Sequence, residues 1–210
     1  DKVQDKEVKR MLLKNGIVVS GSGCTRQDIR MDEGRILQTG AGLNPLEGEE
    51  VMDVSGCLVA PGGIDAHTHF DMPCGSIMTS DDFETGTRAA VAGGTTTVID
   101  FSEPDHGASL QSGLDRWHEK ADGRSFTDYS FHMTVARYDE GIEEEILSMI
   151  RQGVTSFKAY TAYKGDLGVE DRDMYRLLSL MKKHGVLLMV HCENGDILDV
   201  RREELAAGHP

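Results

Sequence analysis

From Pro61 onward the chain alternates short apolar or β-branched runs with stretches of helical period, and this alternation narrows the fold more than any other feature. VAPGGIDAHTHF closes a first strand, and TTTVIDF, YSFHMTVA, TSFKAY and VLLMVH read as four more. Between the first two, TSDDFETGTRAAVAGG carries the helix-start residues Thr79, Ser80 and Asp81 and the stop signal Gly93-Gly94. LQSGLDRWHEKADG is a weaker helical stretch. GIEEEILSMIRQG is amphipathic, with Ile142, Ile146, Met149 and Ile150 on one face. VEDRDMYRLLSLMKKHG turns Met174, Leu177, Leu178 and Met181 inward and ends on Lys182, Lys183 and His184, where a helix favours positive charge. Strands alternating with helices form parallel βαβ units, so the class is α/β, either a closed (β/α)8 barrel or an open doubly wound sheet.

Residues 1–60 have a different texture. MLLKNGIVV, DIRMDEGRILQTG and EEVMDVSGCLVAP read as short strands, and the alternation in DIRM and RILQ around Gly34 is a hairpin signature. This is a small all-β module. Across 210 residues, 39% hydrophobic and 28% charged is a globular composition with enough apolar side chains for a sizeable core. The formal net charge of −14 repels nucleic acid and anionic lipid alike, so neither is an expected partner. No apolar run approaches the roughly 18 residues of a membrane span, and DKVQDKEVKR is too polar for a secretory signal, which points to the cytoplasm. Cys24, Cys57, Cys74 and Cys192 form no C-x-x-C pair and read as free reduced thiols.

The chemistry gathers at the strand ends. In an extended strand, positions i and i+2 share a face, so Asp65, His67 and His69 are expected to point together. Neutral imidazoles are common metal ligands, yet a strand-end histidine is also often a hydrogen-bonded core residue, the reading given to His132 and, off the strands, to His106, His118, His184 and His209. Lys158 in the fourth strand and His191 at the end of the fifth would meet His67 and His69 at the mouth of a barrel. A buried lysine either pairs with an acid such as Asp65 or Asp100, or its neutral amine adds carbon dioxide and becomes a carbamate, an anion able to bridge two metals.

PGGIDAHTHFDMPCG, DDFETGTRAAVAGGTTTVIDF, SFKAYTAYKG and VHCENGD together resemble the hydantoinase and dihydropyrimidinase family of cyclic amidohydrolases, over essentially the whole chain. The resemblance implies a (β/α)8 barrel with a small β-sandwich. Residues 1–60 would be the amino-terminal part of the sandwich module, and 61–210 the first five βα units of a barrel that is incomplete in this chain. It implies two divalent metal ions, zinc by preference, held by His67, His69, His191 and a carboxylated Lys158, and a homotetrameric assembly. Tyr163, whose bland reading is a packed loop aromatic, would donate to the substrate carbonyl oxygen. Cys192 stands where small residues are usual, and on a strand it would face away from His191.

The implied activity is hydrolysis of a small cyclic amide or imide by a hydroxide shared between the metals. Relatives that open dihydroorotate carry an arginine just after H-x-H; Phe70-Asp71-Met72 here favours a ring without a carboxylate, a hydantoin or a dihydropyrimidine, with allantoin as a weaker alternative. The family's proton-shuttling aspartate and a further metal histidine are expected beyond Pro210, so the 210 residues alone are expected to be an incomplete enzyme. The rival reading is a non-catalytic scaffold that keeps the fold, or an inactive fragment. Four retained ligands argue against a scaffold.

Overall fold

The computed structural model describes residues 10–74 and 76–208, and it divides into two compact units at Pro61 and Gly62. The polar amino-terminal decapeptide, apart from Arg10, and His209 lie outside the described residues. Cys24, Cys57 and Cys192 are free thiols, as expected.

The first unit is one five-stranded sheet built from β1 (Met11–Ser20), β2 (Gly23–Asp32), β3 (Arg35–Gly40), β4 (Glu50–Asp53) and β5 (Leu58–Val59). Its order is β3-β2-β1-β4, with β5 pairing β1 further along. The β2–β3 hairpin turns on Glu33 and Gly34, both at positive φ (47° and 71°), the backbone that suits a two-residue turn between twisted strands. A bulge interrupts the β1–β2 ladder between Leu13 and Gly16, with Asn15 at φ 66°. Asp28 holds it: one carboxylate oxygen accepts the Asn15 amide at 2.8 Å and the other the Leu43 amide at 2.8 Å. These donors and Lys14 keep Asp28 below the usual carboxylate range despite its burial. Beside it, buried Arg30 donates twice to Glu49, at 2.7 and 3.2 Å, and to the Asn44 carbonyl, fastening the 43–49 loop to the sheet.

The second unit is a parallel sheet with helices on its outer face. Its strands are β6 (Gly63–Thr68), β9 (Thr95–Ser102), β10 (Asp128–Thr134), β11 (Ser156–Lys164) and β12 (Leu187–His191); a small hairpin, β7 (Pro73–Cys74) and β8 (Ile77–Met78), follows β6. The helices are α1 (Phe83–Ala92), α2 (Leu110–Ala121), α3 (Ile142–Arg151), α4 (Asp171–His184) and α5 (Gly195–Ala206). The sheet order β6-β9-β10-β11-β12 follows the chain without reversal. A doubly wound sheet reverses at a switch point, so of the two architectures open at the sequence level this is the curled half-barrel.

Alternation along the strands separates two layers. Phe131, Met133, Phe157 and Ala159 face the helices and join Phe83, Leu114, Trp117, Ile146, Leu177 and Met181 in one buried core. The residues between them, His132, Thr134, Lys158 and Tyr160, belong to the inner face.

Three local expectations are corrected. The cap of α1 is Asp82, not Thr79, Ser80 or Asp81: its carboxylate accepts the Thr85 amide while Thr85 Oγ1 accepts the Asp82 amide, a capping box. On α4 the inward set is Met174, Leu177, Leu180 and Met181, while Leu178 is 47% exposed, because it falls on the outer flank of the apolar stripe. Asp65 does not share a face with the histidines. The β6–β9 ladder pairs Asp65 with Val98 and Thr68 with Asp100, so β6 spends one extra residue between these pairs. This bulge switches the alternation, leaving Asp65 and Thr68 on the helix-facing side and His67 and His69 on the inner side.

Candidate functional site

The C-terminal ends of the parallel strands surround a cavity of about 560 Å³, lined by His67, His69, Lys158, Tyr163 and His191 together with Met72, Pro73, Glu103, Tyr160, Asp166 and Leu167. All five residues singled out in the sequence therefore face one space. Within it they form two groups. His67 and His69 stand edge to face, ring centroids 5.1 Å apart, both against the buried ring of Phe101 at 4.6 and 5.0 Å. Across the cavity His191 and Tyr163 lie 5.6 Å apart, and Tyr160 contacts both, at 5.5 and 6.0 Å.

Lys158 lies between the two groups. Its Nζ is 5.3 Å from the Phe101 ring centre and 5.2 Å from that of Tyr160, and the residue is only 8% exposed. The acids weighed as its partners are engaged elsewhere: Asp65 accepts the His67 amide, and Asp100 serves the opposite face of the sheet. A buried ammonium without a counterion is costly. Carboxylated, the side chain would be an anion instead, whose burial cations in the same cavity would offset.

Burial holds His69 below the ordinary histidine range, with His67 and Lys158 adding to the effect, so its ring is in the neutral form that can ligate. Its Nδ1 is buried and has no hydrogen-bond partner, an orphan that a bound group or water would satisfy. Among the described residues no three of His, Cys, Asp and Glu gather closely enough to complete a metal cage. The available donors are three imidazoles with an amine between them. That set fits a divalent metal once the amine carries a carboxylate.

His191 Nε2 is 2.5 Å from Glu193 Oε2, an exposed contact to the loop that follows β12. Cys192 lies just past β12, exposed, with its thiol donating to the Val190 carbonyl at 3.3 Å, and does not line the cavity. His132 is the satisfied core histidine expected of it: Ser156 Oγ lies 2.6 Å from Nδ1 and the Ala66 carbonyl 2.9 Å from Nε2. Burial depresses its proton affinity, so the neutral ring donates through Nε2 to Ala66 and accepts from Ser156.

Sequence reasoning did not pick out Glu103 and Asp166. Glu103 follows β9 directly, where barrel strands deliver functional side chains, and that position was its available signal. Burial raises its carboxyl above the usual range, while the Tyr160 hydroxyl, donating at 3.3 Å, opposes the shift. Asp166 sits in the turn after β11, and no periodicity could have placed it.

Comparison with known proteins accords with this geometry. The chain is 43% identical to the D-hydantoinase of Geobacillus stearothermophilus over 200 residues, covering 94% of this chain and 42% of that protein. It is 40% identical to the dihydropyrimidinase of Dictyostelium discoideum over 189 residues, covering 90% and 38%. The crystal structure of dihydropyrimidinase from Brevibacillus agri superposes with a TM-score of 0.91 at 40% identity, over 95% of this chain and 44% of that one. The chain thus spans about two-fifths of the curated relatives it matches. Residues 58–209 match the amidohydrolase family, and the chain belongs to that family.

Proposed function

We propose that this chain carries the metal-binding part of a cyclic amidohydrolase that opens the ring of a hydantoin or a dihydropyrimidine by hydrolysing a C–N bond. The observation that carries the reading is the placement of Lys158, buried between the His67–His69 pair and the His191–Tyr163 pair. Carboxylated, it would link the two groups, with His67 and His69 holding one divalent ion and His191 contributing to a second; zinc suits the nitrogen donors. When bound, such a pair supplies an activated water at neutral pH and polarises the scissile carbonyl. The chain's own residues bind and orient the ring, and the Tyr163 hydroxyl donates to the carbonyl oxygen as charge develops there.

The cavity wall supports a ring without a carboxylate. Beyond Lys158 and the imidazoles its ionisable lining is Glu103, Tyr160, Tyr163 and Asp166, with Met72 and Leu167 as apolar walls, and among the described residues no arginine lines it to pair with a carboxylate. The names of the relatives given above point to hydantoin and dihydropyrimidine rings rather than to allantoin. On the same footing we read residues 1–60 as part of a β-sandwich module, 61–210 as the first five βα units of the barrel, and the whole protein as a cytoplasmic homotetramer. Among the described residues no helix is long and apolar enough to cross a membrane.

The test is Lys158→Ala in the intact protein. Metal content should fall and turnover of hydantoin and dihydrouracil should be nearly lost, with partial return of both on adding a short carboxylic acid. Metal content and turnover equal to the parent's would sink the reading. A parent that binds no zinc and opens none of these rings would favour the non-catalytic scaffold.

A further inference from the structure

His67 lies within the bulge of β6 and His69 just past the strand's last residue, Thr68, where regular pairing no longer fixes the backbone. What fixes this turn lies on the other face of the sheet. Asp100 is fully buried, and one of its carboxylate oxygens accepts both the hydroxyl of Thr68, the residue between the two histidines, and the amide of Phe70, the residue after them, each at 2.9 Å. Its other oxygen accepts the indole N–H of fully buried Trp117, on α2, at 2.8 Å. From the inner side His132 donates to the Ala66 carbonyl, just before the pair.

We propose that Asp100 is the positioning residue of the H-x-H turn: through Thr68 and Phe70 it holds the backbone so that His67 and His69 both project into the cavity, with Trp117 fixing the carboxylate. A buried carboxylate costs stability unless its oxygens are satisfied, and here every donor it takes comes from the turn, from its own strand or from the one helix that anchors it. Its reach to the site is indirect, since it touches neither imidazole. The consequence for catalysis rests on the metal reading given above.

The experiment uses three variants of the intact protein: Thr68→Val, Asp100→Asn, and Asp100→Asn combined with Trp117→Phe. Asparagine can keep its carbonyl toward Thr68 and Phe70, but its amide then meets the Trp117 N–H donor to donor; removing the indole N–H relieves that clash. In metal-free protein, the ring nitrogen signals of His67 and His69 should shift and broaden in Thr68→Val and Asp100→Asn and return toward parent positions in the double variant, while those of His184 and His191 stay fixed. Zinc affinity should fall about tenfold in the two single variants, the low end of what losing an outer partner of a ligand costs, and recover in the double variant. The double variant should also melt lower than Asp100→Asn, since Trp117 fills core volume, so recovery of the histidine signals against falling stability separates positioning from bulk packing. Unmoved His67 and His69 signals in Thr68→Val, or signals that follow melting temperature across the series, would overturn the proposal. A parent that binds no zinc would defeat the metal reading alone, because the metal-free signals still decide the role of Asp100.

Discussion

Tyr163 holds φ at +60°, a backbone that a bulky side chain adopts only where its surroundings impose it, and it does so facing His191 across 5.6 Å at the rim of the cavity. Strain of this kind is retained where it aims a group. Tyr163→Phe keeps the ring and the backbone and removes only the hydroxyl, so on the role proposed above kcat of the intact protein should fall by about 10² to 10³, the usual cost of one oxyanion donor. A change confined to KM would assign the hydroxyl to ground-state binding instead. In the other unit, Asp28 makes a prediction of known sign. Its carboxyl lies below the usual range, held there chiefly by the Asn15 amide, so its contribution to stability is fully present above the unfolded value of about 3.9 and is lost as pH falls through the folded value. Asp28→Asn should cost about 2 kcal/mol at neutral pH, because either the Asn15 amide or the Leu43 amide then faces an NH₂ group. The gap between parent and variant melting temperatures should narrow below about pH 4; a gap independent of pH would refute this account.

At the level of elements, α1 packs against Phe70 through Gly86. A Cβ there would lie 2.1 Å from Cε1 of Phe70, the residue that follows the histidine pair and whose amide Asp100 holds. Gly86→Ala improves helix propensity by about 1 kcal/mol, but it must displace an aromatic ring packed against Phe83, an overpacking cost of about 1 to 3 kcal/mol. The melting temperature should therefore drop, and the His67 and His69 signals should move with Phe70; a more stable variant with those signals unchanged would show that the contact yields freely. Some of this was legible in the sequence and some was not. The strands β9 to β12 announced themselves because their apolar runs are bounded by turn residues, and the positions of His67, His69, Lys158 and His191 around one cavity because each closes or punctuates such a run. The weak reading of α2 follows from a narrow stripe, Leu110, Leu114, Trp117 and Ala121, among polar residues that solvate its outer face. The helix α5 gave no signal, since Ile197, Val200 and Leu205 are exposed and Gly195 is its one buried residue. The bulge in β6 was invisible because nothing in IDAHTH marks an extra residue; it is fixed by partners 30 or more positions away, Asp100 and His132, and only tertiary pairing shows which face each side chain takes.

For residues 1–210 taken by themselves, two opposing quantities set the behaviour in solution. Apolar surface is open in each unit: the first carries a cavity of about 460 Å³ lined by Leu13, Val18, Ile29, Met31 and Val59, and the edge strands of the second expose Ile64 at 68% and Leu187 at 59%. Such surface and unpaired strand edges favour association. Against them stands a net charge of −14 at pH 7, which keeps copies apart. The charge vanishes near the isoelectric point of about 4.9, while the apolar surface does not change. At that pH the carboxylates with depressed values, Asp28, Glu49, Asp53 and Asp82 among them, are still ionised, so the interactions that lowered them remain in place. Association should therefore precede unfolding as pH falls. Light scattering of residues 1–210 should be low at pH 7 in dilute buffer and rise steeply toward pH 4.9 with the far-ultraviolet circular dichroism unchanged. It should also rise at pH 7 on adding salt, which shortens the range of the repulsion to about 10 Å at 0.1 M. A chain that stays monomeric through pH 4.9, or that scatters only once its dichroism is lost, would show that these open faces do not drive contact between native copies.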